Sequence, residues 1–350
     1  MSDLPLPRRG PSCWYGPRMQ ARRKEWVWDL SPEDIAELEG AAEPLVAHRA
    51  PIAQLTASDF PLPTLAPQLQ KLRQELIRGR GFSLLRGLPV RRYSERELVT
   101  IFFGIGTHLG HARSQNAEGH VLGHVRNTGL SADDPHVRIY QTRARQHFHT
   151  DSTDVVGLLC VRPAKKGGTS LLVSAMTVYN EMYRRRPDLL RLLLEPVATD
   201  RRGEVPEGME PFLRIPVFSD YADRVTVFYH RQYIESAQRF AEAPRLTEAH
   251  IEALDFFDEL CNDPALHLRM QLEAGDMQFV YNHTMLHDRT GFEDWPEPER
   301  RRHLLRLWLS VPGDRPLPPI FATRYGSVEI GNRGGIIVPG TKMRVPWDQE

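Results

Sequence analysis

The segment Gln146-His147-Phe148-His149-Thr150-Asp151 combines a strand-like alternation with side chains that bind metals. Residues i and i+2 of a strand point to the same side of a sheet, so we expect the His149 imidazole and the Asp151 carboxylate to lie side by side. His147 shares this predicted face. Because three ligands from one strand surround an ion poorly, we expect His147 to line a pocket or to support a ligand. Taken alone, the pattern also fits a surface ion pair.

A second candidate ligand lies well downstream. Gly275-Asp276 predicts a turn into a strand over Met277–Tyr281, and the chain then reaches His287. Two imidazoles and one carboxylate on one side of an iron leave three positions open for a bidentate co-substrate and dioxygen, which is the arrangement of non-haem iron oxygenases. His283 competes with His287 as a ligand. It follows Asn282 in a predicted bend, so we expect it in a loop or a pocket.

The segment Arg302–Val311 predicts a strand with two different faces. Arg302, Arg306 and Trp308 fall on one face, and the other face is almost wholly apolar. A strand at a surface would simply show these arginines to water. Trp308 on the same face favours a lined cavity instead, where a guanidinium can bind a carboxylate through two hydrogen bonds.

Together, these segments resemble the taurine dioxygenase and clavaminate synthase-like (TauD/TfdA) branch of the Fe(II)/2-oxoglutarate-dependent oxygenases. The similarity runs from about Phe82 to about Val311. The matching motifs are Gly-Phe-Ser-Leu-Leu-Arg-Gly at 81–87, His149-Thr150-Asp151, Lys-Gly-Gly-Thr-Ser at 166–170, His287, and Arg302 followed four residues later by Arg306.

The resemblance implies roles for individual residues. It implies that His149, Asp151 and His287 bind Fe(II), and that Arg302 pairs with the distal carboxylate of 2-oxoglutarate. Ser170 would add a hydroxyl contact there, with Thr169 as an alternative. Arg306 would lie nearer the metal-chelating end of 2-oxoglutarate or the substrate. Arg301 competes with Arg302, but strand alternation favours Arg302 because it shares a face with Arg306.

The resemblance also implies the reaction. With Fe(II), 2-oxoglutarate and O2, the enzyme would oxidise a substrate C–H bond and release succinate and CO2. Halogenating members carry a small residue where Asp151 stands, so the carboxylate favours hydroxylation or a related oxidation. The expected substrate is a small polar molecule such as an amino acid derivative. Candidate pocket residues are Tyr140, Gln141, His147, Asp154, Asn282 and Trp308.

Two other classes of protein fit part of the pattern. A zinc-dependent hydrolase could use the same His/Asp/His site to activate a water molecule. It would leave Arg302 and Arg306 without a role, and the sequence holds no His-Glu-x-x-His motif. A noncatalytic jelly-roll binding protein would carry the same histidines as structural residues.

The expected fold class is α+β. The resemblance implies a double-stranded β-helix (jelly roll) with flanking helices and helical insertions. Residues 1–25 predict an extended N-terminal arm, and residues 26–350 a single catalytic domain with a helical cover over about 31–110 and insertions over about 175–265. Capping boxes that begin at Ser31 and Ser94 mark two helix starts. Further helices are predicted over Leu65–Arg78, Met176–Leu194 and Thr247–Cys261.

The amino-acid composition argues against some classes of binding partner. The 350 residues carry 45 basic and 45 acidic side chains, a balance that disfavours nucleic-acid binding and attachment to anionic membranes. No apolar run approaches the roughly 18 residues that a spanning helix needs. Three widely spaced cysteines and the lack of a signal-like N-terminus predict a cytoplasmic protein, and the resemblance predicts a small-molecule substrate. Nothing in the sequence decides whether the chain forms a homo-oligomer.

Overall fold

The computed structural model describes residues 4–131, 137–205, 208–338 and 340–347. Within these residues the strands are β1 (Val27–Asp29), β2 (Phe82–Arg86), β3 (His111–Ala112), β4 (Leu122–Val125), β5 (Gln146–His149), β6 (Val155–Arg162), β7 (Lys166–Gly167), β8 (Ser170–Ser174), β9 (Pro196–Asp200), β10 (Phe212–Pro216), β11 (Phe218–Tyr221), β12 (Arg224–Val227), β13 (Leu268–Met270), β14 (Met277–Tyr281), β15 (Met285–Arg289), β16 (Phe292–Glu293) and β17 (His303–Ser310). The helices are α1 (Gly16–Ala21), α2 (Pro32–Ala47), α3 (Ala66–Ile77), α4 (Glu95–Leu109), α5 (Ala175–Arg185), α6 (Pro187–Leu193), α7 (Arg231–Ala237), α8 (Glu248–Asn262) and α9 (Ala322–Tyr325).

Two sheets form the centre of the mixed α/β fold. The larger sheet has the order β1-β2-β14-β6-β17-β3, with β4 also paired to β17. The smaller sheet has the order β13-β8-β15-β5. Strands that are distant in sequence are neighbours in both sheets, so residues from separate parts of the chain meet there.

Alternation along β17 separates two apolar clusters. Leu304 and Trp308 join a cluster to which both sheets contribute, including Val156 from β6 and Leu172 from β8. Leu305, Leu307 and Leu309 instead pack in a cluster with α2, α3 and α4. The predicted two-faced strand is confirmed, although both faces are buried. A third cluster packs Phe148 and Leu286 of the smaller sheet against α5, α6 and α8.

Local signals placed most helices correctly. Capping boxes form at Ser31 and Ser94, in which each serine hydroxyl accepts from the backbone N–H three residues later. Thr247 caps α8 in the same way. At the turn before β14, Gly275 has φ +92°, and a Cβ there would lie 2.0 Å from the Leu88 carbonyl oxygen. Only glycine fits this close approach.

Three expectations about organisation need correction. The helix predicted over Met176–Leu194 is broken, because Pro187 begins α6 and cannot continue the hydrogen bonding of α5. The insertion over about 175–265 contains the hairpins β9–β10 and β11–β12 as well as helices. The N-terminal segment is not extended throughout: it holds α1, and Trp14 and Met19 are buried. Its first three residues lie outside the described part of the chain.

Across the described ranges, no helix has the length and apolarity that crossing a bilayer requires.

Candidate metal and co-substrate site

Two adjacent strands of the smaller sheet carry the candidate histidine ligands. His149 is the last residue of β5 and lies directly opposite His287 of β15 in the antiparallel register. Their ring centroids are 4.2 Å apart. Cross-strand neighbours are within contact distance by the geometry of a sheet, so strand pairing alone brings these two imidazoles together.

Asp151 completes the cluster from beyond the end of the strand. The strand predicted to include Asp151 ends at His149, and the following backbone is held by Asn282, whose Oδ1 accepts from the Asp151 N–H at 3.0 Å. Trp308 Nε1 donates to Asp151 Oδ2 at 3.0 Å. The Nε2 atoms of His149 and His287 each lie 3.9 Å from an Asp151 carboxylate oxygen. The three ligand atoms lie within 4.8 Å of one another.

An irregularity in the strand turns His147 away from this cluster. Between β5 and β15 the register shifts, so that His149 pairs with His287 but Gln146 pairs with Arg289. The extra residue on β5 places Gln146 in the cavity wall and leaves His147 exposed. The expectation that His147 lines the pocket is therefore wrong. Its carbonyl oxygen contributes instead, because it accepts from His149 Nδ1 at 2.8 Å.

The electrostatics favour neutral imidazoles beside an ionised carboxylate. Burial lowers the pKa of His149, and it lowers the pKa of His287 to about 3. Burial alone would raise the pKa of the Asp151 carboxyl, but the Arg306 guanidinium and the hydrogen bond from Trp308 favour the carboxylate, and this pKa lies below its usual value. Since the His147 carbonyl can only accept, His149 carries its proton on Nδ1. Its unprotonated Nε2 accepts from Gln146 Nε2 at 2.9 Å, and this is the lone pair that a metal would take.

Arg302 lies on one side of this cluster with an unsatisfied guanidinium. It immediately precedes β17, and its buried Nη1 has no hydrogen-bond partner within the described structure. Burial lowers the pKa of Arg302 to about 10, so the group is still charged at neutral pH. Gly168, at φ +66°, makes room for it, because a Cβ there would lie 3.2 Å from Arg302 Nε. A buried, unpaired guanidinium is costly unless an anion joins it.

Ser170 and Gln278 line the same cavity as Arg302. Gln278 Nε2 donates to Ser170 Oγ at 3.0 Å. The two competing residues lie elsewhere. Thr169 Oγ1 donates to Gln271 Oε1, outside the cavity wall, and Arg301 is exposed and donates to a backbone carbonyl. Sequence reasoning missed Gln278, which sits on a fully buried strand where a polar residue is itself a signal.

Arg306 lies where two cavities meet. It lines both the cavity with Arg302 and a second cavity of about 180 Å³, and the two cavities share His149 and Asp151 in their walls. Its Nε donates to Gln115 Oε1 at 2.7 Å. Its guanidinium carbon lies 4.7 Å from the ring centre of Tyr140 and 5.0 Å from that of Trp308. These contacts fix the guanidinium against both cavities.

Three of the candidate pocket residues, Tyr140, Gln141 and Trp308, line the second cavity with His149 and Asp151. The remaining polar side chains of this wall were not predicted, because they come from separate segments with no shared sequence pattern. These residues are Gln115, Asn116, Arg138, Gln146, Thr150, Ser152, Glu204, His230, Tyr233 and Arg324.

Asp154, His283 and Asn282 do not line either cavity. Asp154 and His283 are fully buried partners, with His283 Nε2 at 2.8 Å from Asp154 Oδ1. Arg333 donates to the carboxylates of both Asp154 and Asp314, at 2.8 and 2.7 Å. Asp154, His283 and Asp314 form a second group of side chains that could in principle bind a metal. The Arg333 guanidinium already pairs with both carboxylates, which disfavours a metal cation there, so this group is a structural network. Asn282 instead supports Asp151, as described above.

The described side chains fit a divalent metal and a dicarboxylate. Two neutral imidazoles and a carboxylate are a suitable donor set for Fe(II), and they occupy one side of the site. The orphaned Nη1 of Arg302 lies in the adjoining cavity, ready for a carboxylate.

Comparisons with known proteins agree with this geometry. Residues 44–308 match the model of the family described as "Taurine catabolism dioxygenase TauD, TfdA family". The chain is 31% identical over 330 residues to FR-33289 synthase of Streptomyces rubellomurinus, covering 92% of this chain and 96% of that protein. It is 31% identical over 183 residues to a uridine-5'-phosphate dioxygenase of Amycolatopsis, covering 49% and 64%.

A solved structure shares the fold. The asparagine oxygenase complex with Fe(II), 3-hydroxyasparagine and succinate superposes with a TM-score of 0.64 at 18% identity, covering 81% of this chain and 93% of that one. The chain thus belongs to the TauD/TfdA family and is a dioxygenase of the Fe(II)- and 2-oxoglutarate-dependent class.

Proposed function

We propose that His149, Asp151 and His287 bind the Fe(II), and that Arg302 binds the distal carboxylate of 2-oxoglutarate. The observation that carries this proposal is the position of a three-ligand cluster beside a cavity that contains a buried, unpaired guanidinium. When bound, Fe(II) and 2-oxoglutarate supply dioxygen activation and C–H oxidation, with release of succinate and CO2.

The surrounding side chains hold this arrangement in place. Trp308 and Asn282 orient Asp151, and the His147 carbonyl orients His149. Ser170 and Gln278 offer hydroxyl and amide groups beside Arg302. Such supporting hydrogen bonds restrict ligand rotation and raise metal affinity.

The second cavity is the proposed substrate site. Its wall includes His149 and Asp151 but not Arg302, and polar side chains dominate it. These features support a small polar substrate, and we favour hydroxylation of an amino acid derivative. The structural neighbour with a hydroxyasparagine product supports the same class of substrate. A zinc hydrolase would leave the buried Arg302 without a partner.

The arrangement of the two sheets and the extent of the domain are also part of the proposal. We infer a double-stranded β-helix in which the two sheets face each other across their shared apolar cluster, within one catalytic domain spanning residues 26–350. The three cysteines, Cys13, Cys160 and Cys261, are free thiols, which supports a reducing, cytoplasmic location.

Co-substrate turnover tests the function. Protein loaded with Fe(II) without oxygen and then exposed to air with 2-oxoglutarate and a panel of amino acid derivatives should form succinate. Asp151→Ala should form none, and Arg301→Gln should match the wild type. Absence of both 2-oxoglutarate binding and succinate formation in the wild type would overturn the proposal.

A further inference from the structure

The second cavity has a strongly cationic wall. Arg138, Arg306 and Arg324 all line it, and they come from three separate parts of the chain. The side chains of Arg138 and Arg324 are only 23% and 12% exposed. Guanidinium groups with so little access to water are favourable only beside anionic partners. The charge of this wall therefore restricts what the cavity can bind.

One carboxylate, that of Glu204, lies between two of these arginines. Glu204 Oε1 accepts from Arg138 Nη2, and its Oε2 lies 3.5 Å from Arg324 Nη1. The remaining guanidinium contacts are to neutral groups: Arg138 Nη1 donates to the Tyr233 hydroxyl at 2.9 Å, and Arg324 Nε donates to Ser152 Oγ at 2.7 Å. Glu204 offsets one of the two positive charges.

The charge of the loaded site follows from these contacts. Fe(II), the Asp151 carboxylate, doubly charged 2-oxoglutarate and Arg302 together carry no net charge under the proposed function. Arg306 then contributes one positive charge, and the Arg138–Glu204–Arg324 group contributes another. Among the described residues that line the cavity, two positive charges are thus left for the substrate to neutralise.

We propose that the substrate carries a doubly charged tetrahedral oxyanion of the phosphomonoester or phosphonate class. It binds between Arg138 and Arg324 and takes over guanidinium hydrogen bonds from the Glu204 carboxylate, which remains in the cavity wall. This inference rests on the proposed function, because it places the substrate beside His149 and Asp151. Ser152 links the two sites: its hydroxyl contacts Arg324, and it directly follows the metal ligand Asp151.

The proposed role of Glu204 predicts the direction in which its replacement changes anion affinity. If this carboxylate holds the place of the substrate anion, Glu204→Gln removes an internal competitor and tightens anion binding. If Glu204 instead binds a cationic part of the substrate, the same change has no such effect on a simple anion. Arg324→Gln removes one of the two guanidinium groups of the anion site, so it must weaken anion binding.

Calorimetry on protein loaded anaerobically with Fe(II) and 2-oxoglutarate tests the proposal. The probes are methylphosphonate, inorganic phosphate and acetate. We expect methylphosphonate and phosphate to bind at least 10-fold more tightly than acetate. Arg324→Gln should weaken phosphate binding 10- to 100-fold, Arg324→Lys should restore part of it, and Glu204→Gln should tighten it several-fold. Arg300→Gln, an exposed arginine outside the cavity, is the matched control.

The outcomes separate this inference from the proposed function. Wild type that binds Fe(II) and 2-oxoglutarate but prefers acetate, or whose phosphate affinity is the same in Arg324→Gln and Glu204→Gln, overturns the anion site alone. Phosphate that coordinates the metal directly would give that same insensitivity. Wild type that binds no 2-oxoglutarate overturns the proposed function. Thermal unfolding of each variant identifies any loss that comes from misfolding.

Discussion

His149 and His287 are direct partners across two antiparallel strands, and Asp151 follows two residues after the first of them. The candidate ligand cluster is therefore built on an interior strand and the adjoining edge strand of the smaller sheet. β15, which carries His287, is hydrogen-bonded on both sides, to β8 and β5. This placement fixes the separation of the imidazoles before any metal binds.

Trp308 is expected to tune the metal site without being a ligand. Trp308→Phe keeps an aromatic ring at this position but removes the hydrogen bond from Nε1 to Asp151 Oδ2. Loss of such a supporting bond typically lowers metal affinity by about 10- to 100-fold. Titration with Fe(II) under anaerobic conditions measures the change. Trp295→Phe, outside both cavities, is the control, and equal affinities in the two variants would refute the role.

Arg302 is expected to determine 2-oxoglutarate affinity. Arg302→Gln removes the buried positive charge that would pair with the co-substrate, and such a loss costs roughly 2–5 kcal/mol. The dissociation constant for 2-oxoglutarate should rise accordingly, with Fe(II) binding little changed. Arg301→Gln changes the adjacent, exposed arginine and should have no effect. If the two variants bound 2-oxoglutarate equally well, Arg302 would not be its partner.

The metal-free protein is expected to lose stability in acid through its buried histidines. The pKa of His287 is about 3 in the folded chain against an ordinary 6.5, because burial disfavours the imidazolium. Below pH 6.5 the His287 imidazole is protonated in the unfolded chain but stays neutral in the folded chain. The free energy of unfolding therefore falls until the pH reaches about 3. The slope approaches 1.4 kcal/mol per pH unit for this group.

Chemical unfolding between pH 7 and 4 measures that slope. His287→Gln should show a shallower dependence than the wild type. His147→Gln, at an exposed position, should keep the wild-type slope. Parallel curves for wild type and His287→Gln would contradict the expectation.

The Asp154–Arg333–Asp314 network is expected to stabilise the fold beside the site. All three side chains are fully buried. Arg333→Met leaves two buried carboxylates without their cation, and breaking such a network costs about 3–5 kcal/mol. Arg214→Met, which breaks an exposed pair with Glu210, should cost far less. Urea unfolding compares the two, and similar losses would refute the difference.

Much of the fold follows from local pattern. Serine and threonine caps marked helix starts, and the alternation in β17 separated its two buried faces. Spacing, order and the family resemblance also singled out the three candidate ligands and Arg302, because the chemistry requires these residue types. Asp151 lies near the ligands even though its strand ends early, since Asn282 holds the backbone that follows.

Other features depend on contacts that no local pattern encodes. The register shift that exposes His147 arises from pairing between β5 and a strand more than 130 residues away. The sequence predicts Asp154 and His283 as pocket residues. In the fold they are buried, His283 is hydrogen-bonded to Asp154, and Arg333 donates to Asp154. Arg138, Glu204 and Arg324 come from separate segments, so only tertiary structure assembles them.

Anaerobic titration of the metal-free protein with Fe(II) is the most direct test of the central claim. We expect one Fe(II) per chain in the wild type and in His147→Ala, and loss of this binding in His149→Ala, Asp151→Ala and His287→Ala. An unchanged Fe(II) affinity in His287→Ala, with the variant folded, would contradict the proposed site.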